Sequence, residues 1–133
     1  MSLSHILILD DDVAAALVTR YGLVRFLGAK VDVQIATSPE TAWLRCCHEL
    51  VDLVIVEPAP HNYAATAFVK ALCAEHPQIP VLVLTAYDTP LLRRTMRELG
   101  ITSYLTKSVD LATLARTVTA IVESVPSDTV PAI

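Results

Sequence analysis

The stretch that decides the fold is His5-Ile6-Leu7-Ile8-Leu9-Asp10-Asp11-Asp12, an apolar run that stops abruptly at three carboxylates. Uninterrupted apolar runs are typical of strands that are buried on both faces of a parallel sheet. Similar runs occupy residues 53–56 and 81–84, and a short, weaker strand candidate occupies 102–105. Residues 31–35 alternate apolar and polar side chains, as a half-buried edge strand does. The sequence therefore predicts five strands.

Helical periodicity fills the segments between these strands. Capping residues mark where the helices start and glycines mark where they stop, the candidates being Asp12, Ser38, Thr89, Asp110, Gly28 and Gly100. In the first helix, the apolar stripe predicts an inward face made of Ala14, Leu17, Val18, Tyr21 and Val24. Strand and helix alternate five times, which predicts a doubly wound α/β domain with a parallel sheet between two helical layers.

Composition limits the protein class. The chain has 133 residues, a net charge of −4 and 53% apolar side chains, which favours one globular domain over a disordered chain. We assign residues 1–124 to this domain and residues 125–133, which contain two prolines, to a C-terminal tail or the start of a linker. The three cysteines form no C-x-x-C pair, and the sequence shows no secretory leader, so we expect a cytoplasmic protein. It also shows no apolar run long enough to span a membrane and no basic cluster. We therefore expect that this domain itself binds neither membrane nor nucleic acid.

Chemistry-bearing residues follow four of the predicted strands. Asp10 and Asp11 end the first strand, Glu57 follows the third, and Thr85 and Lys107 end the fourth and fifth. Because ligands of open parallel sheets bind outside the carboxyl ends of the strands, we expect these side chains to converge. Adjacent carboxylates repel unless a cation lies among them, and oxygen ligands favour Mg²⁺, with Lys107 as a fixed positive charge.

These motifs resemble a known family. The segments Ile-Leu-Ile-Leu-Asp10-Asp11, Asp52-Leu-Val-Ile-Val-Glu57, Val81-Leu-Val-Leu-Thr85-Ala86 and Tyr104-Leu-Thr-Lys107 are similar to the receiver (CheY-like) domain of bacterial two-component response regulators. The resemblance covers roughly residues 5–123. It implies a flavodoxin-like (βα)5 fold with strand order 2-1-3-4-5.

The resemblance also implies roles for single residues. Asp10 and Asp11 would hold Mg²⁺ together with Glu57 and the backbone carbonyl of Ala59. Glu57 stands at the phosphoacceptor position, Thr85 and Lys107 would grip the phosphoryl group, and Thr85 and Tyr104 would form a switch. Partners would be a histidine kinase or a downstream effector, bound through Arg94, Tyr104 and the face of the fourth helix, fifth strand and fifth helix. Receivers of this type are monomers or weak homodimers.

The chain departs from the family pattern at its centre, where Glu57 replaces the usual aspartate. Ser108 replaces a usual cis proline, and we expect a trans bond there because a cis bond without proline costs about 3–4 kcal/mol. One extra methylene displaces the carboxylate, which impairs phosphoryl transfer and weakens Mg²⁺ binding but lets the head bind Thr85, Ala86 and Lys107 directly. We therefore expect a degenerate, phosphate-mimicking receiver that acts by protein contact and not as an enzyme.

Three alternatives remain open at this stage. Glu57 and Lys107 could form an ion pair that only stabilises the fold, which is as good an interpretation as mimicry. A conventional Mg²⁺-dependent receiver would accept phosphate on Glu57 or on a nearby aspartate. A flavodoxin-like cofactor-binding protein is a third reading, although only three glycines are present to approach a bound phosphate.

Overall fold

The computed structural model describes residues 3–58 and 63–124, and in them five strands alternate with five helices. The strands are β1 (Ser4–Leu9), β2 (Val31–Ala36), β3 (Leu53–Val56), β4 (Val81–Thr85) and β5 (Ser103–Thr106). The helices are α1 (Val13–Leu27), α2 (Pro39–His48), α3 (Tyr63–Glu75), α4 (Pro90–Glu98) and α5 (Leu111–Ser124), and a short 3-10 turn, Gly28–Lys30, follows α1. Each predicted strand is confirmed to within one residue at either end. The predicted tail, residues 125–133, lies outside the described residues.

All strand pairings are parallel, and the order across the sheet is β2-β1-β3-β4-β5. This is the doubly wound order that the resemblance implied. Strand β3 lies at the centre, where all four of its residues are buried, because helices cover both faces of the sheet. The fold class is therefore confirmed.

Alternate side chains of each strand enter two separate cores. Leu7, Leu9, Val54 and Val56 pack with α2, α3 and α4 on one face of the sheet. Ile6, Ile8, Leu53 and Ile55 pack with α1 and α5 on the other face. The period of two in a strand explains this division.

The helix ends follow the sequence signals. Asp12, Ser38, Thr89 and Asp110 each accept a hydrogen bond from the backbone N–H three residues later. Gly28 follows α1 with a φ of 56°, a conformation that glycine adopts without strain. Within the described residues, no helix has the length and hydropathy needed to cross a membrane.

The predicted inward face of α1 is wrong. Leu17, Val18, Tyr21 and Val24 are between 45% and 61% exposed, and the buried residues are Ala16, Thr19, Gly22 and Leu23. The reason is the close approach of α1 to α5, since a Cβ on Gly22 would lie 2.7 Å from Cδ2 of Leu111. The buried side of α1 therefore carries small residues beside Leu23, and most of its larger apolar side chains are exposed.

Candidate functional site

The backbone at one edge of the sheet fixes the positions of the predicted site residues. Hydrogen bonds extend the strand pairing one residue past the strand ends, from Asp10 N–H to the Ala36 carbonyl at 3.4 Å and from Glu57 N–H to the Leu9 carbonyl at 3.1 Å. The Lys107 N–H likewise donates to the Thr85 carbonyl at 2.8 Å. The backbone that carries these side chains is therefore held by the same kind of hydrogen bonds as the sheet.

Asp10, Glu57 and Lys107 meet at this edge. The Lys107 ammonium lies 2.7 Å from Oδ2 of Asp10 and 3.3 Å from Oε1 of Glu57. Both carboxylates are buried, at 4% and 6% exposure, whereas the lysine side chain is 23% exposed. Burial alone lowers the pKa of Lys107, but the hydrogen bond and charge of Asp10, with the charge of Glu57, raise it above the usual lysine value. Lys107 therefore stays charged and compensates two buried anions.

The Glu57 carboxylate is bound through one oxygen. Its Oε1 accepts a hydrogen bond from the Ala86 N–H at 2.8 Å in addition to the Lys107 contact. Its Oε2 is buried and has no hydrogen-bond partner among the described residues. Burying a carboxylate oxygen without a hydrogen-bond donor costs folding free energy. Oε2 is therefore the unsatisfied hydrogen-bond acceptor of the site.

Thr85 is fully buried beside this cluster, and its hydroxyl accepts a hydrogen bond from the Tyr87 N–H at 2.9 Å. That bond closes the turn after β4 in the manner of a Ser/Thr turn. The sequence predicts that Thr85, Ala86 and Lys107 all bind the Glu57 carboxylate directly. The structure places the Ala86 amide and the Lys107 ammonium on Oε1, whereas the Thr85 hydroxyl binds the Tyr87 N–H of its own loop.

Tyr104 is held by two residues that sequence reasoning missed. Its hydroxyl donates to Oδ1 of Asp88 at 2.9 Å, and the Arg93 guanidinium stacks over its ring at 4.7 Å from the centroid. Arg93 also binds both carboxylate oxygens of Asp88, at 2.7 and 2.8 Å. Burial, followed by the hydrogen bond to Asp88, raises the pKa of Tyr104 to about 12. The signal in the sequence was the position of Asp88, three residues past the end of β4 on the site edge.

The remaining predicted residues fall into three groups. Asp11 is exposed beside Asp10, and Arg94 is exposed on α4, next to the Arg93 that stacks on Tyr104. The Ala59 carbonyl lies outside the described residues. Ser108 is in a trans peptide bond, since the described residues contain no cis bond, and its hydroxyl lies 2.6 Å from that of Thr106.

The fit of this donor set to Mg²⁺ is partial. Asp10 Oδ1 accepts the Asp12 N–H at 2.9 Å and Oδ2 binds Lys107, so both of its oxygens are engaged. Oε2 of Glu57 has no hydrogen-bond partner, yet the described residues include no group of three acidic, histidine or cysteine side chains that could hold a cation. Mg²⁺ prefers near-octahedral oxygen coordination, so these residues form an incomplete metal site.

Comparison with known proteins decides the family. Residues 6–119 match the response regulator receiver domain. The chain belongs to the response regulator receiver family. Family members are signalling domains that generally bind Mg²⁺ and interact with histidine kinases and effectors.

Individual relatives agree with this assignment. The receiver is 31% identical over 114 residues to the DNA-binding transcriptional regulator NtrC of Rhizobium meliloti (strain 1021), a match that covers 86% of this chain and 23% of that protein. Its fold is similar to a CheY-like receiver domain from Methanospirillum hungatei JF-1, with a TM-score of 0.81, 22% identity, and 92% and 95% of the two chains covered. Its fold is equally similar to a response regulator from Thermotoga maritima, with a TM-score of 0.81 and 22% identity. That match covers 92% of this chain and 100% of the Thermotoga chain.

Proposed function

We propose that this receiver is a degenerate cytoplasmic signalling module in which Glu57 replaces the phosphorylated aspartate and partly imitates it. The observation that carries the proposal is the pair of contacts on Oε1 of Glu57, from the Ala86 amide and the Lys107 ammonium. The resemblance places Lys107 among the groups that grip a phosphoryl group, and here its ammonium and the Ala86 amide are already bound to a carboxylate of the protein. The Ala86 amide and the Lys107 ammonium are therefore bound to a negative charge even when no phosphodonor is present.

The imitation is incomplete on physical grounds. A carboxylate carries one negative charge, whereas a phosphoryl group carries nearly two and offers three strong acceptor oxygens. The Thr85 hydroxyl accepts the Tyr87 N–H and the Tyr104 hydroxyl donates to Asp88, so among the described residues neither proposed switch residue is hydrogen-bonded to Glu57. We propose that output comes from protein contacts on the surface of α4, β5 and α5, including Tyr104 and Arg94.

The partners we propose are a histidine kinase or an effector. The NtrC relative is a DNA-binding regulator, but the receiver spans only 23% of its length. With a net charge of −4, this domain has no electrostatic basis for binding nucleic acid, so a DNA-binding output would require an effector.

The experiment is incubation of the full chain with a small phosphodonor and Mg²⁺, followed by intact mass measurement after an acid quench. We expect no adduct on the wild type, because the extra methylene misplaces the nucleophile and a displacement of about 1 Å costs on the order of 10²-fold in rate. Glu57→Asp is the matched variant and should gain the mass of one phosphoryl group.

Two results would contradict the proposal. A stoichiometric adduct on the wild type that disappears in Glu57→Gln would make the protein a conventional acceptor, with Oε2 as the attacking atom. An inert Glu57→Asp variant that remains folded would show that the loop around Ser108 or residues 59–62 has altered more than the acceptor.

A further inference from the structure

A thiol and an imidazole meet where α2 and α3 end. Cys47 lies in the last turn of α2, and His76 is the first residue after α3. Sγ of Cys47 lies 3.8 Å from Nε2 of His76, a distance that permits an S–H···N hydrogen bond. A cysteine within hydrogen-bond reach of a base is the arrangement that activates this nucleophile in proteins. The pair therefore carries chemistry that the site at Glu57 does not use.

The His76 imidazole is held in place by its neighbours. Its backbone N–H donates to the Leu72 carbonyl at 2.8 Å, and its carbonyl accepts the Ile79 N–H at 3.0 Å. Its ring packs edge-on against the Trp43 ring, with the centroids 5.4 Å apart, and Trp43 packs in the same way against the buried Phe68. A base oriented by a third group is the second feature of an activated nucleophile. The core between α2 and α3 therefore fixes the imidazole beside the thiol.

The surrounding charges make a thiolate at Cys47 dependent on His76. The carbonyl end of a helix favours a positive charge, and His76 lies directly after the end of α3. Cys47 lies at the corresponding end of α2, which opposes a negative charge, so its thiolate needs an imidazolium beside it. Arg45 and Glu49 of the same turn form an ion pair with each other at 3.2 Å and so add little net charge.

The other two cysteines lie in environments that keep them protonated. Burial, followed by the charge of Cys47, raises the pKa of Cys46 to about 11. Burial also raises the pKa of Cys73 above the usual cysteine value. Of the three cysteines, all of them within the described residues, Cys47 is the exposed one. Because the thiolate is the reactive form of cysteine, we expect reagents to select Cys47.

We propose that Cys47 is a modification site at which the thiol exchanges with a small-molecule disulfide and His76 accepts the thiol proton. The proton moves from Sγ to Nε2 of His76 as the sulfur attacks one sulfur of the reagent. The sulfur–sulfur bond of the reagent breaks while the new bond to Cys47 forms. Cys47 is thereby oxidised to a mixed disulfide, and the other half of the reagent is reduced and leaves as a thiol with the proton from His76.

Incubation of the full chain with oxidised glutathione at neutral pH tests the site by acid quench, intact mass measurement and peptide mapping. The folded wild type should gain one glutathione, on Cys47. Cys47 should also react faster in the folded protein than in guanidinium, because unfolding separates the thiol from His76. Each rate is divided by that of an unstructured cysteine peptide in the same solvent. A Cys47 that reacts no faster when folded overturns the proposal.

Substitution of the base tests its role directly. His76→Gln should slow the modification of Cys47 about tenfold, because an amide does not accept the thiol proton. His48→Gln is the matched control, since His48 is exposed and follows Cys47 in the chain, whereas successive residues of a helix do not face each other. The control should react at the wild-type rate. Equal rates for His76→Gln and wild type, or an adduct that forms first on Cys46 or Cys73, contradict the proposal.

This thiol site is separate from the site at Glu57. Helices that connect parallel strands run antiparallel to them, so the ends of α2 and α3 lie at the sheet edge opposite Glu57. Glu57→Asp should therefore take up glutathione at the wild-type rate whether or not it is phosphorylated. Failure of the phosphodonor experiment and failure of the glutathione experiment are separate outcomes.

Discussion

One lysine controls the electrostatics of the site. Lys107 compensates Asp10 and Glu57, two carboxylates that are nearly inaccessible to water. The sequence could place these three residues at one sheet edge, because each follows a recognisable strand. It could not decide between metal and lysine as the counter-ion, since that choice depends on where the side-chain atoms lie and not on which strands carry them. The ion pair that sequence reasoning weighed as an alternative is present and coexists with the Ala86 contact.

Removing this lysine should destabilise the protein. Lys107→Met leaves two buried carboxylates uncompensated, and we expect a loss of about 2 kcal/mol at neutral pH, less than for a fully buried pair because Lys107 is 23% exposed. The folded-state pKa of Lys107 is raised, so its contribution is complete below the unfolded-state pKa and is lost as pH rises through the folded-state pKa. The difference between wild type and variant should therefore shrink above about pH 10.4.

Urea unfolding between pH 7 and 11, with a chelator present, measures this difference. Lys70→Met, which removes an exposed lysine of α3, is the control and should change stability by no more than about 0.5 kcal/mol. A Lys107→Met variant as stable as this control would contradict the assigned ion pair.

Helix α1 shows where element-level prediction succeeds and where it ends. Its start at Asp12 and its end at Gly28 were predictable, because caps are local chemistry. Its inward face was not predictable, because apolar residues lie on most sides of the helix. Periodicity alone therefore cannot identify which side is buried. The deciding contact between Gly22 and Leu111 joins two helices that are far apart in the sequence.

A double-mutant cycle tests this helix contact. Gly22→Val should destabilise the protein by about 2 kcal/mol, because its side chain must displace Leu111 and valine is stiff in a helix. In a Leu111→Ala background the same change should cost less, since the space has been vacated. Thermal unfolding of the four proteins gives the coupling energy, and a coupling near zero would exclude close packing at this point.

Metal binding can be measured through the unfolding temperature of the whole protein. A ligand that binds only the folded state raises the unfolding temperature by mass action. We expect millimolar Mg²⁺ to raise the melting temperature of the wild type slightly and that of Glu57→Asp more, because the shorter acid restores the oxygen position that suits the ion. Calorimetric scans with Mg²⁺ and with chelator measure both shifts. A larger shift in the wild type would show that glutamate completes the metal site.

The ion pair between Asp10 and Lys107 joins positions 97 residues apart. A contact of such long range closes only after the last strand has joined the sheet, so it contributes to the final steps of folding. During synthesis, the first strand leaves the ribosome long before its counter-ion does. The nascent chain thus carries this acidic pair without its lysine until β5 docks, and the completed charge cluster requires that β1, β3 and β5 all lie in their final places.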